Sequence, residues 1–284
     1  MSRKRSLFEI HSAVFLFGLA GLFGKWITLS SIIIVLGRVF FASITLIIIL
    51  FLLKQNLKIP KRNDYFLLSI LGFILSVHWI TFFQSIKVST VAIGLLSFSS
   101  FPVFTTFIEP FFFKEKFEKI NILMAFLVLT GVFLIIPRFE IANKTTQGVL
   151  WGLTSGLTFA FLSILNRKLS KQYSSLVIAF YQDSFATFLL LPFFFVLKPA
   201  VDLRNLLLLI ILGVLCTAIS HSLFIKGMRY IKAQTASIID SLEPVYGIIL
   251  AILFLREIPT IRTILGGIII LGTTIFVTLK AKSS

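Results

Sequence analysis

Ten runs of roughly 20 predominantly apolar residues, parted by short polar connections, fill nearly all of this 284-residue chain. A helix rises about 1.5 Å per residue, so a run of that length crosses the ~30 Å hydrocarbon core of a bilayer. The runs cover Leu7–Ile27, Ile32–Leu53, Tyr65–Ile86, Val91–Phe113, Ile120–Pro137, Val149–Leu165, Leu176–Leu197, Leu206–Ile225, Ala233–Leu255 and Ile261–Leu279. Segments such as ITLIIILFLL at 44–53 show no apolar/polar alternation, which argues against the short alternating strands of a membrane barrel. The expected fold class is all-α integral membrane with ten transmembrane helices and no soluble domain.

Charge agrees. Only 13% of residues are charged, too few to cover a water-facing surface. The net charge of +16 does not point to nucleic acid, because the bases sit in clusters between apolar runs, without interleaved aromatics. The chain has one cysteine, Cys216, and three scattered histidines, so neither a metal site nor an intrachain disulfide is expected. No cofactor is expected either. The basic N-terminus before an apolar stretch mimics a signal peptide, but the run continues to Trp26 and many equals follow it. It is read as an uncleaved first span.

Lysine and arginine also orient the chain. One set of alternate connections carries 18 of them and the opposite set 8, with Arg38 left inside a span. The positive-inside rule then puts both termini in the cytoplasm, as an even number of spans requires.

The chain contains a repeat. Pro102-Val103-Phe104 recurs as Pro244-Val245-Tyr246, and a base-glutamate pair follows each, Lys114-Glu115 and Arg256-Glu257. At the same offset Lys25 falls on Arg167. Each half, 1–142 and 143–284, holds five helices, so the second copy crosses in the opposite sense. Inverted repeats are a hallmark of transporters, with substrate bound near the midplane between them.

The stretch His78-Trp79-Ile80-Thr81-Phe82-Phe83, continuing through Ser89-Thr90-Val91-Ala92-Ile93-Gly94 to Ser99-Ser100-Phe101-Pro102, resembles EamA-type members of the drug/metabolite transporter superfamily. So does Leu242-Glu243-Pro244-Val245-Tyr246 through Arg256-Glu257. The resemblance covers the whole chain as two EamA-like halves. It implies a central cavity between them and alternating access for metabolites, amino acids or drug-like compounds. Arg256 and Arg262 stand only near the outer surface, which argues against a phosphorylated substrate.

Ionisable groups inside a span cost at least a few kcal/mol and are functional candidates by default. Arg38 lies about 10 Å into the second span and His78 about 12 Å from the outer end of the third. Arg38 could bind a carboxylate bidentately, and His78 could couple transport to protons. The bland alternatives are a snorkelling arginine and a histidine bonded to a carbonyl. In the second half, Asp183, Asp240 and Glu243 are candidates for proton coupling or for binding an amine. Glu243 could instead cap the carbonyl freed by Pro244. Tyr181 and Gln182 flank Asp183, and Gln182 takes roughly the place of Arg38 in the other half. Pro102 and Pro244 should kink their helices mid-span next to polar residues, Ser97 and Ser100 in one case and Asp240 and Glu243 in the other. Trp79 and His221 could line the same cavity. The glycines at 148, 152 and 156 are read as helix packing.

A secondary transporter for a small molecule, embedded in the bilayer as a monomer or homodimer, is the leading expectation, with protons as a possible coupling ion. The rivals are an intramembrane enzyme and a channel. The sequence has no G-x-x-x-x-G-K-[ST], no H-E-x-x-H and no G-x-S-x-G, so ATP power on this chain and those enzyme types are not expected.

Overall fold

The computed structural model describes residues 3–113, 120–136, 140–169, 172–228, 239 and 242–280. Every regular element among them is a helix. The first half holds α1 (Arg3–Trp26), α2 (Ser31–Leu52), α3 (Arg62–Val88), α4 (Val91–Phe98), α5 (Phe101–Phe113) and α6 (Ile120–Ile135). The second holds α7 (Lys144–Leu169), α8 (Ser175–Leu197), α9 (Leu203–Gly213), α10 (Ser220–Met228), α11 (Glu243–Leu255) and α12 (Ile261–Lys280). A π-helical turn, Val214–Ile219, joins α9 to α10.

Among the described residues, seven helical runs are long and apolar enough to cross a membrane; shorter apolar helices cover Ile122–Ile135, Glu243–Leu255 and Ile261–Thr273. Large apolar side chains such as Phe51, Phe111, Phe133, Phe188 and Leu253 point outward, as lipid contact demands. This is a multi-pass membrane protein.

Local chemistry explains where the helices depart from the apolar runs. Asn143 starts α7 ahead of its run by accepting from the amides of Thr145 (2.9 Å) and Thr146 (3.3 Å). The fourth run crosses as one span, Val91–Phe112, but its helix is interrupted at residues 99–100, ahead of Pro102. Ser99 Oγ donates to the Leu95 carbonyl (2.8 Å) and Ser100 Oγ to the Ser97 carbonyl (2.7 Å), and α5 begins at Phe101. Serine hydroxyls compete with the backbone ladder in this way. Pro102 is then the second residue of a new helix, where its missing N–H costs nothing. Pro244 holds the same position in α11.

The helices pack in pairs. α3 lies against α7 and α8, α2 against α8 and α9, α1 against α10 and α11, α4 and α5 against α7, and α6 against α12. Glycine sets the closest approaches. A Cβ at Gly72 would stand 2.6 Å from Phe185 Cβ and 3.0 Å from the Gln182 carbonyl. A Cβ at Gly213 would stand 2.7 Å from Phe41 Cβ and 2.8 Å from the Arg38 carbonyl. Gly131 and Gly266 cross backbone to backbone, since a Cβ on either would come within 2.8 Å of the other's carbonyl. Gly131→Leu is therefore expected to part α6 from α12 and to cost about 1–3 kcal/mol, read as a lower melting temperature in detergent.

At the end of the bundle near residues 53–64, Tyr181 donates to the Leu57 carbonyl (2.9 Å) and Tyr173 to Asp64 Oδ2 (2.6 Å). The hydrogen bond to Asp64 holds the Tyr173 proton and pushes its pKa up to about 12.

Candidate functional site

Arg38 is the largest side chain with no exposure at all. It projects from α2 into the contact among α2, α3 and the π turn. Its guanidinium carbon lies 3.4 Å from the centroid of the Trp79 ring and 5.9 Å from that of Phe83. Its Nη2 donates to the Cys216 carbonyl (3.2 Å). A π turn shifts the backbone ladder by one residue, which leaves carbonyls to be met from elsewhere. Thr217 Oγ1 takes the Leu212 carbonyl (3.0 Å) and Arg38 takes that of Cys216. Nε and Nη1 of Arg38 meet no hydrogen-bond partner among the described residues.

A desolvated cation over indole recovers about 2 kcal/mol, and a charged hydrogen bond about 1.5–3. Each unmet buried donor costs about 1–3 kcal/mol in return, on top of taking the charge out of water.

His78 and Trp79 are neighbours on α3 and so face different helices. Trp79 turns to Arg38. His78 turns to α7, where its Nδ1 lies 2.9 Å from Ser155 Oγ and 3.1 Å from the Ser155 carbonyl. Around His78 stand Phe98 (centroids 5.4 Å) and Phe159 (5.0 Å), and Phe101 packs on Phe159 at 4.9 Å. The Ser155–His78 bond is expected to contribute about 0.6–1.7 kcal/mol, so Ser155→Ala should lower the melting temperature slightly.

Asp183 faces the same region from α8. It is buried, and its Oδ2 has no partner among the described residues. It lies within electrostatic reach of Arg38, as does Glu243 at the start of α11, and no arginine nitrogen comes within 4.0 Å of the Asp183 carboxylate among the described residues. His221, on α10, is a further electrostatic neighbour of Arg38 and stands edge-on to Phe17 (5.4 Å). Gln182 is committed to Asn166 Oδ1.

Other expected residues sit apart. Tyr181 lies at the loop end of the bundle, edge-on to Tyr65. Ser97 and Ser100 face the glycines of α7: a Cβ at Gly152 would meet Ser97 Cβ at 2.5 Å, and one at Gly156 would meet Ser100 Oγ at 3.0 Å. Asp240 lies outside the described residues. No sequence pattern pointed to the Cys216 carbonyl, to Ser155 or to Phe98 and Phe159. Asn166 was missed as well, although a polar residue just past an apolar run is a signal that could have found it.

Arg38, Trp79 and Asp183 are each at most 8% exposed, so the region is closed to solvent in this conformation. Grooves formed by described residues open on the surface elsewhere, among them one of about 370 Å³ lined by Phe8, His11, Ser12, Phe15, Leu16 and Tyr246, and one of about 320 Å³ between α6 and α12. Neither includes Arg38.

The family description "EamA-like transporter family" matches residues 6–136 and again 146–279. The chain is 27% identical over 300 residues to a protein of Salmonella typhimurium named uncharacterized inner membrane transporter YicL, covering 99% of this chain and 97% of that one. It is 29% identical over 205 residues to an uncharacterized transporter of Archaeoglobus fulgidus, covering 72% of each. A protein of Rickettsia conorii named S-adenosylmethionine uptake transporter is 28% identical over 251 residues, covering 87% of this chain and 82% of that one. One crystal structure of a protein superposes with a TM-score of 0.67 at 17% identity, over 99% of both chains. With a family match over both halves of a helical membrane bundle, this chain belongs to the EamA-like transporter family.

Proposed function

We propose that this chain is a secondary transporter that carries a small zwitterionic solute across the inner membrane by alternating access, with both termini in the cytoplasm. The observation that carries the reading is the pair of buried, incompletely satisfied charges. Among the described residues, two donor nitrogens of Arg38 and one oxygen of Asp183 meet no partner, and the two side chains form no ion pair. In a low-dielectric interior a separated cation and carboxylate are best satisfied together by a ligand with both signs. Arg38 takes the solute's carboxylate, Trp79 and its aromatic neighbours take an apolar part, and Asp183 takes the ammonium. Without solute, Asp183 takes a proton instead, which couples the two movements.

Ten spans arranged as two inverted five-helix halves, 1–142 and 143–284, form the frame of this reading. The packing supports it. Gly72 of α3 approaches Gln182, Phe185 and Ala186 of α8, while Gly213 of α9 approaches Arg38, Phe41 and Ala42 of α2. The spacing within the two sets of partners is identical, and the roles of the halves are exchanged. The family match in two stretches supports it as well.

A solute screen by thermal stabilisation in detergent tests the reading, since a ligand that prefers the native state raises apparent stability. S-adenosylmethionine and α-amino acids are the first probes, because each carries both charges. Zwitterions should stabilise the wild type and lose that effect in Arg38→Ala. Equal stabilisation of both proteins would count against Arg38 as the carboxylate site.

A further inference from the structure

One end of the bundle is tied shut by a compact polar network that joins the two halves. Glu257, just past the end of α11, is the centre of it. Its Oε1 lies 3.6 Å from Lys25 Nζ at the end of α1, and its Oε2 accepts from the Val91 amide (2.9 Å) at the first turn of α4. Lys25 also donates to the Ser89 carbonyl (2.6 Å), and Lys87 at the end of α3 donates to the Ile27 carbonyl (3.1 Å). One carboxylate of the second half thus grips a cation and a helix N-terminus of the first, and both signs are favourable there.

The chain is bent to reach this grip. Arg256, immediately before Glu257, caps α11 at φ 56°, a left-handed conformation that a residue with a Cβ adopts at a cost. Below the network, Trp26 packs edge-on to Phe254 (6.2 Å), and Gly18 meets Gly247. A second tie stands at the same end, where Thr28 and Asn205 exchange hydrogen bonds of 3.1 and 3.0 Å. The side chains of Lys25 and Glu257 keep 24% and 22% of their exposure, so water reaches the pair and can replace it. The repeat carries the same residue types at a fixed offset in the sequence, Arg167 for Lys25 and Glu115 for Glu257.

We propose that Lys25, Glu257 and the first turn of α4 form a latch that holds the outer mouth of the transporter closed, and that its release admits solute from outside. The proposal rests on the transport reading and on its orientation. It adds a residue-level control of access that is separate from solute binding.

Cys216 is the chain's one cysteine, buried beside Arg38, and so reports access to the site without any substrate. A membrane-impermeant methanethiosulfonate is added to sealed right-side-out and inside-out vesicles holding the full chain. Wild type should label slowly from outside. Glu257→Ala, which removes both contacts, should label from outside about tenfold faster, an order-of-magnitude shift of a two-state balance. Glu257→Gln keeps an acceptor for Val91 and should fall between, and Lys25→Met should also rise. Equal melting temperatures in detergent exclude misfolding as the cause. Unchanged outside labelling in folded Glu257→Ala overturns the latch, as does a rise confined to inside-out vesicles. Because no solute is present, the latch can fail while solute binding at Arg38 stands, and the reverse.

Discussion

Arg38→Ala is expected to reduce solute transport by at least about 100-fold while the protein remains folded. Loss of one partner of a buried, hydrogen-bonded charge pair costs about 2–5 kcal/mol, and 2.7 kcal/mol already corresponds to a factor of about 100. The fold does not depend on this side chain to the same degree. Among the described residues Arg38 makes one hydrogen bond, stacks on Trp79 and leaves two donors unmet, so its removal also relieves a desolvated charge. Because alanine also leaves a cavity and the Cys216 carbonyl unmet, the melting temperature should fall only modestly. Arg38→Lys should recover little, because an ammonium neither stacks flat on Trp79 nor presents two parallel donors. Uptake of labelled solute into proteoliposomes, beside a melting curve, checks both parts. Wild-type rates in Arg38→Ala would remove this residue from the site.

The second large effect is expected at Asp183. Asp183→Asn keeps the shape of a buried side chain and removes its charge. If this carboxylate faces ammonium and proton in turn, the variant should lose both the response of transport to an imposed pH gradient and at least about tenfold in affinity for a zwitterion, since a charged hydrogen bond is worth about 1.5–3 kcal/mol. A solute lacking the amine should be much less affected. Transport still driven by the gradient at wild-type strength in this variant would assign coupling elsewhere, with Glu243 the nearest alternative, since it too lies in reach of Arg38.

The helical membrane class was legible because it follows from a strong constraint: no backbone polar group can stay unpaired in lipid, so long apolar runs must be helices. The family resemblance was legible from motifs on either side of Pro102 and Pro244. The irregular points were not. The interruption at Ser99–Ser100 depends on hydroxyls turning back to Leu95 and Ser97, and the π turn at 214–219 depends on Thr217 and Arg38 meeting displaced carbonyls. Serine and threonine in an apolar run satisfy a regular helix equally well, so local pattern does not separate the outcomes.

Arg38 could be singled out because a charge in a span is costly wherever it points. Its setting could not be foreseen. The Cys216 carbonyl is 178 positions away, and the Trp79 contact depends on how α2 meets α3. Ser97 and Ser100 illustrate the converse. Polar residues beside a proline suggested a cavity lining, but the structure sets both against the glycines of α7, a helix seam the sequence shows only as small residues every fourth position.

If two opposed halves pass one small solute between them, counterflow should show it. Proteoliposomes loaded with an unlabelled zwitterion identified by stabilisation are diluted into a trace of the same compound carrying label. A carrier exchanges bound molecules one for one, so label should accumulate inside above equilibrium, then decay, and be recovered chemically unchanged. Flux that neither saturates nor overshoots would mean a channel, and label recovered as a different compound would mean an enzyme; either result rules out a carrier.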